Sequence, residues 1–482
     1  MVEMTETSNE KLLTKIAVSI LALFLLVSWW PAFGIPLGNS HEGRVLGQFA
    51  LHMKNFWNLG FIESSFGASW EPFSDVPYTH HPPLLTFLHV IVSTIFGEGL
   101  KQIKSVSYSA GVLTIPALFF MGKSLGVSAK AVTVAILLLV MTPWWWVYGR
   151  LGLGLLPNVL MIGSIWAATI NPTKRKTCIA SLSTFFAVVA SWHGVFLMPF
   201  LWFHTWRKRK FDQLTFLLLG ASAIGGLLIL LWISQGGGLS ELGGHIEQRV
   251  QRDWTWGQFA QRQWDFLTNL LPVWYLVLAA PALIVGMIDS RTRFLTTSLT
   301  FMVCVFAVVP SNGAWVHDYW NFPILLVLFP GFAVLGEWTI GFVQETIKLN
   351  NQKIKTLTTV AIFSFLTLIL ILGLKPRELH GDYFDATSDA GELIAKIELS
   401  SNQITAWHLP QIPWPTWVAN EWGLRTKSLS NAEDLDTVPS DDIVLLRIDM
   451  LPDWLDKEIQ FALQEREGNY GAITAEVMKK YA

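Results

Sequence analysis

Cysteine is scarce in this chain. Only Cys178 and Cys304 occur among 482 residues, each inside an apolar run. That leaves no disulfide framework and no thiolate metal motif, and both read as small buried hydrophobes. Charge is scarce too: 15% of the residues are charged, where a soluble globular chain carries about 25%. With 52% hydrophobic residues, the composition excludes an ordinary water-soluble domain and points to a protein of the bilayer. Neither sign of charge is in surplus, since the formal net charge is -2. A nucleic-acid partner would require basic patches on a basic chain, so none is expected. There is no repeat of fixed period and no low-complexity segment. The first apolar run, 16–30, follows Lys11 and Lys15 but precedes no small-x-small cleavage site. It reads as an uncleaved first helix, not a signal peptide.

Apolar sequence is what the chain has in abundance. Runs long enough to cross a bilayer fall at 14–33, 104–122, 130–148, 155–170, 177–191, 194–206, 212–233, 269–288, 293–310, 319–344 and 356–374. Lys and Arg, which concentrate in cytoplasmic loops, mark 11–15, 123–130, 174–176, 207–210, 291–293 and 348–355. All six clusters share one side only if a further apolar run, 83–97, does not cross. That run opens with Pro82-Pro83 and carries His89, and it reads as a helix lying along the outer interface. The expectation is a multi-pass integral protein of the cell membrane with about eleven spans, a cytoplasmic N-terminus and an extracytoplasmic C-terminus. Tryptophan is frequent at 24 residues, with clusters at Trp29-Trp30, Trp144-Trp145-Trp146 and Trp202 to Trp206 that suit helix ends in the headgroup layer. Residues 234–268, with Arg249, Arg252, Arg262 and several Trp, suit an interfacial segment against membrane lipids. From 376 to 482 the apolar runs cease, and pieces such as Asp442-Ile443-Val444-Leu445-Leu446-Arg447 read as strands of a small α/β water-soluble domain. The remainder, 1–375, is the transmembrane domain, with its first outer loop at 34–103.

Four polar clusters fall on the outer side of this topology. The first loop opens with Ser40-His41-Glu42-Gly43-Arg44. Glu42, just beyond a span, is placed to act as a general base, or else is a solvated acid paired with Arg44. The loop closes with His80-His81-Pro82-Pro83-Leu84, in which the prolines fix the backbone and start the next helix. The two histidines can donate to a phosphate, or rest as interfacial residues near a turn. His41, His80 and His81 could also ligate a divalent metal, though no tight motif supports one. Arg150, in Tyr148-Gly149-Arg150, sits between two apolar runs and fits either phosphate binding or snorkelling. His317-Asp318-Tyr319 precedes another run that contains Pro323. It offers donors and a second acid, or a polar helix start in which Asp318 meets the helix N-terminus.

Taken in order, these motifs resemble the membrane-integral GT-C glycosyltransferases, most closely the group of protein O-mannosyltransferases and lipid A aminoarabinose transferases. The likeness covers about residues 14–345. His41-Glu42-Gly43-Arg44 running to Ala50 matches the acid pair and helix that follow that family's first span. His81-Pro82-Pro83-Leu84 matches its His-Pro-Pro-Leu or Lys-Pro-Pro-Leu step, which opens a juxtamembrane helix. Tyr148-Gly149-Arg150 and His317-Asp318-Tyr319 match a Tyr/Ser-x-Arg and a His-x-Tyr step. One departure stands out: His41 occupies the place of the family's first acid. The resemblance implies inverting transfer of a hexosyl or pentosyl group from a polyprenyl-phosphate sugar donor to a protein, lipid or glycan acceptor. Glu42 and His41 would be the catalytic pair, and Arg44, His80, His81, Arg150, His317, Asp318 and Tyr319 would hold the substrate. Metal dependence varies across the fold. Two other classes remain. A multi-span transporter would gather ionisable residues at the midplane, whereas here they lie at span ends; a non-catalytic scaffold with an outer partner-binding domain is kept open by His41.

Overall fold

The computed structural model describes residues 8–34, 41–64, 81–97, 99–151, 155–235, 243, 244, 246, 247, 250, 252, 254–346, 389, 392–409 and 425–482. The first ten helices are α1 (Ser8–Trp29), α2 (His41–Glu63), α3 (Leu84–Phe96), α4 (Leu100–Ser124), α5 (Ala129–Val140), α6 (Pro143–Tyr148), α7 (Leu155–Ile170), α8 (Lys174–Ala190), α9 (Trp192–Arg209) and α10 (Gln213–Gln235). Their starts follow local chemistry. Ser128, Thr142, Thr173 and Ser191 each stand before a helix and accept an N–H of its first turn, which satisfies a donor that has no partner inside the helix.

By length and apolar composition, four helices among the described residues are able to cross a membrane: Lys15–Gly34, Leu100–Ser124, Gln213–Ser234 and Asp318–Phe342. Two bent pairs raise this to six. The runs at 130–148 and 269–288 are the bent ones. The first breaks at Met141-Thr142 with a 76° bend, and the second begins after Pro272, at 111° to the polar helix Trp256–Leu270. Leu155–Ile170 and Arg293–Val308 are apolar but shorter. Residues 356–374, the last expected span, lie outside the described residues. Capping residues and prolines thus divide two of the apolar runs.

Helices in lipid gain little from burying apolar surface against one another, so small residues that let backbones touch do much of the packing. Gly331 is the sharpest case: a Cβ there would stand 1.9 Å from the Ala282 carbonyl oxygen of the neighbouring Val273–Ile288 helix. Gly163 likewise brings α7 against Phe120 and Met121 of α4. At one end of the bundle the chain turns are tied by ions. Arg291 reaches Asp289 (Nη2–Oδ2 3.1 Å), Glu337 (Nη1–Oε2 2.6 Å) and the Gly126 carbonyl (3.1 Å), while Glu337 accepts from the Ser128 N–H at 2.8 Å. The loop after α4, the turn at 289–293 and Glu337 thus share one end, and Arg150 and Asp318 lie at the other.

The C-terminal region holds a five-stranded sheet in the order β2-β1-β3-β5-β4. Its strands are β1 (Thr405–His408), β2 (Arg425–Ser428), β3 (Ile443–Arg447), β4 (Glu465–Glu467) and β5 (Tyr470–Thr474). β1 pairs parallel with β2 and β3, and β5 pairs antiparallel with β3 and β4. Strand side chains alternate between faces, and β3 is apolar on both. Val444 and Leu446 join a core with Trp407, Leu435, Leu455, Ile459 and Met478. Ile443 and Leu445 join Ala406, Tyr470 and Ala472 against Leu46, Phe49 and Met53 of α2 and Val90 of α3. A sheet with open edges has no place in hydrocarbon, because its unpaired backbone groups would go unsatisfied. The α2–α3 layer therefore lies between sheet and bundle, and α3, 13 residues long, reaches only about 20 Å of the ~30 Å hydrocarbon core.

Gly331→Val should drive the two backbones apart and lower the melting temperature in detergent, by about 1–3 kcal/mol of stability. Gly341→Val, where a Cβ meets nothing within 4 Å, should leave it unchanged.

Candidate functional site

Arg150 is set in place by its neighbours' small size. α6 ends at Tyr148 and passes through Gly149 into the short 3₁₀ turn Gly149–Leu151. The turn lies flat on α4 because Gly111 has no side chain: a Cβ there would stand 2.4 Å from the Gly149 carbonyl and 2.8 Å from the Trp29 ring. Arg150 is left 1% exposed, with its guanidinium carbon 5.9 Å from the centroid of the Tyr108 ring. Tyr108 is itself fixed edge-on by Phe33 and Trp29, at 4.6 and 5.9 Å. One turn before it on α4, the equally buried Lys104 donates to the Ala32 carbonyl at 2.6 Å. Two cations are therefore dried at the same end of α4, at a cost that marks ionisable residues in membrane helices as functional candidates.

The His317 cluster meets this turn directly. Asp318–Asn321 forms a 3₁₀ turn behind His317, and Asp318 Oδ1 accepts a hydrogen bond of 2.5 Å from the Tyr148 hydroxyl, 170 positions away. The rings of Tyr148 and Tyr319 lie 5.8 Å apart, and those of His317 and Tyr319 4.9 Å. Trp320 stacks on Phe306 at 4.9 Å and donates to its carbonyl at 2.8 Å. His193, at the start of α9, packs on the same Phe306 at 4.3 Å. His81 is exposed and stands within electrostatic reach of both His193 and His52. A line of aromatic contacts thus runs from the Arg150 turn through His317–Tyr319 to His193, beside His81.

His41, Glu42 and Arg44 occupy the first turn of α2, which packs against α3, α4 and the Gly149–Leu151 turn. Their side chains, and all of His80, lie outside the described residues. Above the His317 cluster lies the helix Trp256–Leu270, opened by a capping box of Thr255 and Gln258. Its Arg262 donates to the Trp315 carbonyl and Gln263 to the Ala314 carbonyl, each at 2.7 Å, and Gln263 accepts from Asn321. Among the described residues no group of three or more His, Cys, Asp or Glu side chains stands close enough to hold a metal ion. Sequence reasoning passed over Tyr108, Gly111, His193 and the role of Tyr148 as donor to Asp318. Lys104 carried a usable signal, a charge at the edge of the apolar run 104–122.

The α2–α3 layer also buries two histidines. His89 stacks on Phe49 at 4.5 Å, and neither of its ring nitrogens has a hydrogen-bond partner among the described residues; burial pushes it down to about 3. His52, whose Nδ1 lies 3.2 Å from the Thr86 hydroxyl, is pushed down to about 3 by burial and then by His81 and His89. Unfolded histidine titrates near 6.5, so below that pH the unfolded chain takes up protons that the folded one refuses. Stability should be flat above about pH 6.5 and fall toward pH 3, by about 1.4 kcal/mol per pH unit for each histidine. Melting measured from pH 7.5 to 5 should show this slope, and His89→Leu should make it shallower. An unchanged slope in that variant would remove His89 from the account.

No protein-family model and no curated protein matches the chain. Among solved structures it is similar to ArnT from Cupriavidus metallidurans bound to undecaprenyl phosphate, with a TM-score of 0.54 and 13% identity over 95% of this chain and 98% of that one. ArnT of the same organism in the apo state gives a TM-score of 0.51 and 13% identity, covering 95% and 97%. At that identity the likeness is one of fold: a helical, membrane-type bundle with a small C-terminal sheet region, followed over nearly the whole of both chains.

Proposed function

We propose that this chain is a GT-C-type membrane glycosyltransferase that moves a sugar from a polyprenyl-phosphate-linked donor to a protein, lipid or glycan acceptor at the outer membrane face. The reading is supported above all by the Tyr148–Asp318 hydrogen bond. It joins a dried arginine to the His317–Tyr319 turn, in a bundle whose fold is similar to an ArnT structure bound to undecaprenyl phosphate. In this reading the N-terminus is cytoplasmic, residues 1–375 form the transferase domain and 376–482 an extracytoplasmic domain.

Each residue then has a task. Glu42, beside His41, takes the proton from the acceptor hydroxyl or amine, and the freed lone pair attacks the anomeric carbon from the face opposite the phosphate. The bond from that carbon to the phosphate oxygen breaks, its electrons stay on the oxygen, and the anomeric configuration inverts. The phosphate's developing charge is offset by Arg150, His80, His81 and Arg44. Such preorganised donors are worth most where water is excluded, and the burial of Arg150 against Tyr108 supplies that condition. His317 and Tyr319 line the sugar pocket, with Asp318 held by Tyr148.

Purified protein given a labelled polyprenyl-phosphate sugar should transfer it. Glu42→Gln should cut turnover about 10²- to 10⁴-fold while still binding the donor, and undiminished turnover would remove Glu42 as the base. Arg150→Ala should lower kcat/KM about 10²- to 10³-fold with weakened donor binding. Donor affinity equal to that of the unaltered protein would move the phosphate elsewhere, and no transfer with any donor would favour the scaffold or transporter reading.

A further inference from the structure

The end of the bundle farthest from Arg150 carries a feature that sugar transfer does not use. α8 begins with Lys174-Arg175-Lys176, and α9 closes on Arg207-Lys208-Arg209 followed by Lys210. The packing of α10 brings the two groups together. α10 runs beside α8 in the same direction: a Cβ on Gly225 would lie 2.9 Å from Val188, and Ile229, Trp232 and Ile233 share one apolar cluster with Val188. Counting back along both helices at about 1.5 Å per residue brings Gln213 and Lys174 to nearly the same level. The last turn of α9 and the short link into α10, which together carry 207–210, therefore come down beside 174–176.

Only Arg209 in this group has an acidic partner among the described residues, Asp212 at 2.9 Å. Lys174, Arg175, Arg207, Lys208 and Lys210 are exposed. Directly behind them is a belt of aromatic rings. Trp202 and Trp206 stack with their planes 6° apart, Lys210 lies 5.7 Å over the Trp206 ring, and Phe211 and Phe216 are 63% and 58% exposed. Exposed aromatics backed by unpaired cations are what a helix presents to the headgroup layer. Like charges crowded at that depth repel unless the layer supplies the opposite sign.

We propose that this end of the bundle is a binding surface for acidic phospholipid headgroups, whose phosphates sit between Lys174–Lys176 and Arg207–Lys210 while their chains lie along Trp202, Trp206 and Phe211. Neither group on its own makes the surface; the α8–α10 packing does. The full-length protein, placed in nanodiscs of equal phosphatidylglycerol and phosphatidylcholine and released for native mass spectrometry, should retain phosphatidylglycerol about fivefold over phosphatidylcholine. Salt at about 0.5 M during reconstitution should erase most of that preference. Arg207→Gln/Lys208→Gln/Lys210→Gln should bring the ratio near one. So should Lys174→Gln/Arg175→Gln/Lys176→Gln, which serves as an independent probe if the first variant fails to fold. Lys101→Gln, at the other end of the bundle, should leave it unaltered. Equal retention of the two lipids by the unaltered protein, or an undiminished ratio in the triple variants, overturns the proposal.

Discussion

A guanidinium withdrawn from water sets the terms for the rest of this molecule. Arg150 is nearly inaccessible, and the structure goes to some length to keep it so. Gly111 is bare so that the turn can lie on α4, Trp29 and Phe33 wedge Tyr108 beneath the charge, and Tyr148 in the same turn is fastened to Asp318. None of these contacts is strong alone. Together they form a dry, rigid end to the bundle, in which a charge acts over short distances with little screening.

That end is assembled from parts far apart in sequence. α4, the Gly149–Leu151 turn and the 318–321 turn each contribute one side, and α2 packs against both α4 and the Arg150 turn. The opposite end is fastened by Arg291, Asp289 and Glu337. Helices pinned at both ends leave the candidate site little freedom to drift.

Much of this could be read from residue order. Low charge and long apolar runs gave the helical membrane character, and the short apolar run Ile443 to Leu446 between polar residues gave a strand. The positions of the Lys and Arg clusters put Arg150 and His317–Tyr319 at one end of the bundle, and the Tyr148–Asp318 hydrogen bond joins their turns. What stayed hidden was steric. Nothing in the sequence marks Gly111 as the glycine on which Arg150's turn rests, or Gly331 as the one against Ala282, because both constraints come from a partner helix. Tyr148 was visible as part of a motif, but its bond to Asp318 spans 170 positions. Apolar character persists through the break at Thr142-Pro143, and only backbone geometry shows the chain turning there.

The sheet's second face bears on how such a protein can be rearranged over time. Ile443, Leu445 and Tyr470 are covered by Leu393 and Ile394 of their own region together with Leu46, Phe49 and Val90 from the other end of the chain. The C-terminal region is thus not a detachable accessory. A replacement domain would arrive with a face shaped for different side chains, leaving a greasy gap over α2, the helix that bears Glu42. Substitutions at 46, 49 and 90 and those at 443, 445 and 470 should be inherited as a set, so that descendants differing in this C-terminal region also differ, in step, along α2.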